Sequence, residues 1–171
     1  MDNSMDKDIP MENVQGLPPL DTSMLPIFQR YKVENEPWIP DFDTWSYLNL
    51  RADFDLAAAF AKMFWPDFVE VDGCVILQRN YSPEAFAEWM QRYDGDRRAV
   101  ESMLNHVHIW DLFLNSPKDV TYSAQLYEFL AHALIYGWKQ ALQDKHPEKR
   151  FVFTLRHGYG PEISFRQADQ V

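Results

Sequence analysis

One stretch of the chain crowds together side chains that can do chemistry. It runs from Glu101 to Phe113 and reads ESMLNHVHIWDLF. Its meaning depends on local geometry. On a strand, His106 and His108 stand at i and i+2 on one face and, with Asp111, can share a divalent metal. On a helix the two imidazoles lie about 200° apart and cannot chelate together. Val100, Met103, Leu104 and Val107 are helically spaced, which favours the helix. There Glu101, Asn105 and His108 line up at i, i+4 and i+7. Asp111 falls three residues beyond His108, near the centre of the apolar face, where a carboxylate must be paired or the helix must end.

Glu101, Asn105, His108 and Asp111 are therefore the candidate catalytic residues. His108 and Asp111 would form an acid–base dyad in which the carboxylate orients the imidazole. The competing reading is architectural: His, Asn and Asp at a helix end cap it, or tie an incoming loop to the backbone. No Ser or Cys nucleophile pattern accompanies the dyad. The Gly158-Tyr159-Gly160 turn reads as hairpin chemistry rather than a phosphate cradle, so no cofactor is expected. Elsewhere the polar groups are sparse. Asp72 serves a turn, Glu128 and His132 share a polar stripe, and His157, Arg156 and Arg166 sit on an exposed edge.

The elements that must position these residues are legible in part. The longest helix signal runs from Thr121 to Lys145, with Thr121 or Ser123 as cap and Pro147 as stop. Leu126, Phe129, Leu130, Ala133, Leu134, Gly137, Trp138 and Ala141 form one broad apolar face. Ala133, Gly137 and Ala141 leave a groove for close packing of another backbone. Two β-rich runs flank Asp72-Gly73, the signature of a type I′ hairpin. In that register Val69, Val71, Cys74 and Ile76 share one face, and Phe68, Glu70, Val75 and Leu77 the other.

Asp53 caps a helix to about Phe64. Ser82-Pro83-Glu84 opens another that ends at Tyr93-Asp94-Gly95. Asp96 caps a third, from Arg97 to Trp110 or Leu114. Residues 150–167 alternate as a second hairpin. The fold class expected is α+β: a single domain in which the hairpins at about 68–79 and 150–167 make a four-stranded antiparallel sheet covered by helices. Residues 1–24 read as a disordered acidic tail and residues 25–171 as the domain. Between Leu25 and Asn49, aromatics interrupted by Pro37 and Pro40 should wrap the domain and plug Trp38 and Trp45 into it, with a short helix after Asp43.

Charge narrows the function classes. The chain of 171 residues has a formal net charge of −10, and residues 1–55 carry −7 of it. No basic stripe exists to neutralise phosphates, so nucleic acid is not an expected partner. Cys74 is the single cysteine, which precludes an intramolecular disulfide and a cysteine-based zinc site and agrees with a reducing cytosol. The start MDNSMDKD lacks a basic n-region and an apolar h-region, so no signal peptide is expected, and the uncharged stretch Phe129 to Trp138 is far short of a membrane span. Aromatic residues make up 15% of the chain, including six Trp, and solubility demands that most of those rings be buried.

The first reading is a non-enzymatic, bacterial-type cytosolic interaction protein, of the immunity-protein or adaptor kind. It would bind another protein through an acidic, aromatic surface in which Trp38 and Trp45 are the candidate binding residues. The second is a small enzyme built on Glu101, Asn105, His108 and Asp111, with or without a metal at His106, His108 and Asp111.

Overall fold

The structure, a computed structural model, describes residues 7–157 and 160–168. Six α-helices accompany a four-stranded antiparallel sheet and a separate two-stranded one, so the α+β expectation holds.

Local sequence explains the hairpins. β2 (Phe68–Val71) and β3 (Cys74–Leu77) pair as Phe68↔Leu77 through Val71↔Cys74, and Asp72 and Gly73 both take positive φ (48° and 80°), as the turn requires. The register is the one the alternation dictates. Val75 and Leu77 enter the main core, while Cys74 and Ile76 enter a second cluster with Phe86, Val100 and Leu104. β5 (Phe151–Arg156) and β6 (Glu162–Gln167) form the second hairpin, with Phe153 opposite Phe165 and Leu155 opposite Ile163. Residues 158 and 159 of its turn lie outside the described residues.

The two hairpins do not join one sheet. The four-stranded order is β1-β5-β6-β4, with β1 (Lys7–Pro10) and β4 (Val107–His108) at the edges. The remaining edge of β3 is occupied by side chains of a helix rather than by a strand. The 1–24 tail is thereby corrected for its inner part. Lys7–Pro10 pairs with residues 152–155 of β5, Arg166 Nη2 meets Asp8 Oδ2 at 3.0 Å, and Met11 is buried in the core. Lys7–Pro10 has no hairpin turn to announce it, and its pairing is with a segment far along the chain.

α6 (Ala124–Lys145) is capped by the Ser123 hydroxyl and crosses the sheet. It places Leu134, Ile135, Trp138 and Leu142 against Phe151, Phe153 and Phe165. Its buried face is wider than the expected stripe, since Ala131, Ile135 and Leu142 are buried too. Gly137 is the point of closest approach. A Cβ there would overlap the carbonyl oxygen of Phe64, and Trp138 Nε1 donates to the Met63 carbonyl at 2.9 Å one residue earlier. The groove is thus filled by backbone at the end of α3 (Phe54–Phe64).

α4 (Pro83–Arg92) and α5 (Arg97–Leu104) follow their Ser82 and Asp96 caps and pack on the outer face of the first hairpin. α5 stops earlier than expected. Asn105 leaves helical geometry as the C-cap, the chain turns into β4, and Ile109–Phe113 forms a 3-10 segment. α1 (Pro26–Asn35) and α2 (Thr44–Arg51) complete the chain, packed on each other through Phe28, Phe42, Tyr31 and Tyr47. Among the described residues, no helix is long and apolar enough to cross a membrane.

Candidate interaction surface

The 101–113 stretch divides into two parts with different work. Glu101 is 1% exposed and Asn105 0%. Glu101 Oε1 accepts from the backbone N–H of Val75 and from Gln167 Nε2, each at 2.7 Å, and Oε2 accepts from the Gln167 backbone N–H at 2.7 Å. Asn105 Oδ1 accepts from the Leu77 N–H at 2.8 Å, while its amide donates to the carbonyls of Val75 (2.9 Å) and Phe165 (3.2 Å). These two side chains take the place of a missing strand between β3 and β6. They satisfy backbone groups that burial would otherwise leave unpaired. Burial pushes the Glu101 carboxyl above its ordinary value, against three N–H donors that pull it down.

The other half is nearer the surface. His106 Nδ1 bonds to the Met103 carbonyl, and the ring meets His108 edge-on at 5.7 Å between centroids. The carboxylate beside His108 belongs to Glu162, at 3.7 Å, which its β-bridge partner position brings there. Asp111 is exposed on the 3-10 segment. The structure therefore brings Glu101 and Asn105 together in one network, and it supplies His108 with Glu162 rather than Asp111. Among the described residues, no group of three or more His, Cys, Asp or Glu is arranged to hold a metal, His106, His108 and Asp111 included.

Two of the clefts among the described residues touch histidines. One of about 670 Å³ lies between residues 7–18 and α6, with Glu128, His132 and His157 on its wall. The other, about 420 Å³, is shallow and touches His106, Arg156 and Glu162.

The helical segment 26–64 is different in kind. Trp38 is 84% exposed, Trp45 74% and Phe54 94%. Val33, Leu48, Leu50, Leu56, Phe60 and Trp65 are exposed with them, so most of the exposed large apolar side chains among the described residues fall between 33 and 65. The expectation that Trp38 and Trp45 plug into the domain is thus overturned. Phe28 and Tyr47 pack α1 against α2, and Trp45, two residues before Tyr47 and on the opposite side of α2, faces solvent. α3 makes the point most clearly. Its sequence FDLAAAFAKMF has Asp55 and Lys62 as its only charged residues, yet residues 54–62 are all exposed. Its contacts with the body come from Phe60, stacked on Phe113 at 6.4 Å, and from Met63 and Phe64 at its end. A helix apolar almost all round belongs in a core, and this one has no partner on most of its circumference.

Compared with known proteins, the chain matches no family model, no curated protein and no solved structure.

Carboxylates are interleaved with these rings. Glu34, Glu36, Asp41, Asp43, Asp53 and Asp55 stand between Val33 and Leu56, with Arg51 the only cation in that interval. Asp43 caps α2, and the Ser46 N–H and hydroxyl, at 2.8 and 2.9 Å, hold its carboxyl below the ordinary value. Asp53 caps α3 by accepting from Leu56 N–H at 2.8 Å. Arg51 is engaged with Tyr31, donating to its hydroxyl at 3.0 Å and lying over its ring. Phe54, Leu48 and Leu50 were not singled out in the sequence. The signal available was the near-absence of charge on α3, which periodicity alone reads as core.

Proposed function

We propose that the chain is a non-enzymatic, cytosolic protein-interaction module, of the immunity-protein or adaptor kind, and that its docking surface is the α1–α3 segment. One observation carries this reading: rings as large as Trp38, Trp45 and Phe54 stand almost fully in solvent beside an α-helix that is apolar nearly all round. Scattered surface hydrophobics are ordinary, whereas a concentration of this size in one stretch marks a surface that another macromolecule covers. Exposed Trp is the residue type on which binding energy concentrates. Glu101 and Asn105 support the same reading by default, since their hydrogen bonds are spent on the frame.

The test is affinity capture with the wild-type chain and with a Trp38→Ser/Trp45→Ser/Phe54→Ser variant, followed by mass spectrometry. The expected result is a protein recovered with the wild type and lost with the variant, while circular dichroism of the two coincides. An identical set of proteins on both would contradict the proposal.

A further inference from the structure

We infer that the partner seated on the α1–α3 segment is a protein presenting a basic amphipathic segment, an apolar ridge flanked by Lys or Arg. This inference rests on the docking reading above and adds the chemistry of the occupant. The apolar half of the argument is Trp38, Trp45 and Phe54, each mostly exposed and each next to a carboxylate within a few residues. The charged half is that Glu34, Glu36, Asp41, Asp43, Asp53 and Asp55 form no ion pair among the described residues. Of the cations between residues 26 and 64, Arg51 lies on Tyr31 and Lys62 pairs with Asp67 at 2.5 Å, which leaves Arg30 and Lys32 on α1 against the six carboxylates.

Exposed negative charge around apolar anchors attracts a positive rim and repels a negative one. That disfavours the two other occupants. A second copy of this chain, face to face, would set six carboxylates against six, an excess over Arg30, Lys32, Arg51 and Lys62. An anionic membrane surface would be repelled in the same way. A basic amphipathic helix satisfies both halves, laying its apolar face on the rings while its flanking cations meet the carboxylates.

The probe is a synthetic amphipathic helix of leucine and lysine, with a leucine and glutamate helix of the same pattern as its counterpart. Binding to the full chain is followed by tryptophan fluorescence and by stopped-flow. Three variants are compared with the wild type: Glu34→Gln/Glu36→Gln/Asp41→Asn/Asp55→Asn, called arm-neutral because it neutralises carboxylates of the α1–α3 segment (the arm) and leaves both helix caps intact; the control Glu84→Gln/Glu88→Gln/Asp94→Asn/Glu148→Gln; and Trp38→Ser/Trp45→Ser. The expected result is that the lysine helix binds and the glutamate helix does not. The arm-neutral variant should slow association about tenfold or more, and the control should change it far less. Equal losses in the two neutralised variants would overturn the inference, because net charge alone would then explain binding. Equal binding of the glutamate helix, abolished by Trp38→Ser/Trp45→Ser, would overturn the charge argument and leave the docking surface standing. A dimer in sedimentation, or binding to phosphatidylcholine–phosphatidylglycerol vesicles, abolished by the same two substitutions would replace the occupant and overturn the inference. Binding indifferent to both tryptophans and to the arm carboxylates would sink both readings.

Discussion

At the residue scale, Glu101 shows how chemistry-bearing side chains can be spent on architecture. It and Asn105 stand one helical turn apart on α5, which lets both reach the vacant edge of β3. Because burial raises the Glu101 carboxyl, the native state holds its proton more tightly than the unfolded chain does. The associated stability is full below the ordinary carboxylate value and is lost as pH rises through the folded one. Glu101→Gln cannot titrate, so the stability difference between wild type and variant should shrink as pH rises from about 4 toward 7. Urea denaturation across that range measures it, and a flat difference would show that the site does not couple to protons. The substitution also turns an amide N–H toward a backbone donor, at a cost of about 1–3 kcal/mol. Cys74, 0% exposed, has its thiol pushed up to about 11, chiefly by burial and then by the Glu101 charge. It should react with a thiol reagent only when the protein unfolds. Rapid labelling of native protein would place that hairpin face in solvent.

At the scale of elements, what was legible had a local cause. The cap at Ser123, the stop at Pro147 and the Asp72-Gly73 turn are short-range signals, and α6 and both hairpins formed where they lie. β1 and β4 were not legible, because no turn signal like Asp72-Gly73 joins either to its partner and each pairs only with a distant segment. The 101–113 stretch misled for a related reason: its helical spacing continues through Val107, while Asn105 ends the helix by bonding to β3 and β6. Tail and groove give two predictions. Removing residues 1–14 takes away β1 and buried Met11 and should lower the melting temperature by roughly 3–10 °C. An unchanged melting temperature would mean that β1 contributes nothing. Gly137→Ala adds helix propensity but drives a Cβ into the Phe64 carbonyl, which belongs to backbone and cannot swing away. It should destabilise by about 1–3 kcal/mol in denaturant titration, and a gain in stability would show that α3 is free to retreat.

At the scale of the whole molecule, the sheet, α6 and the first hairpin use up the buried polar groups and most of the core aromatics. The α1–α3 segment buries Phe28 and Phe42 but keeps Trp38, Trp45 and Phe54 outside. Sequence could not separate these two fates, since an aromatic in a helix of weak amphipathicity has no preferred side until the tertiary contacts are known. The central claim is that another protein covers this segment. Site-specific photo-cross-linking in cells that make the protein tests it most directly, with a photoreactive residue at Trp38, at Phe54 or, as control, at exposed Glu88 on α4. The account predicts a discrete adduct with a different protein from positions 38 and 54 and none from position 88. Adducts from position 88 with none from 38 or 54 would contradict it.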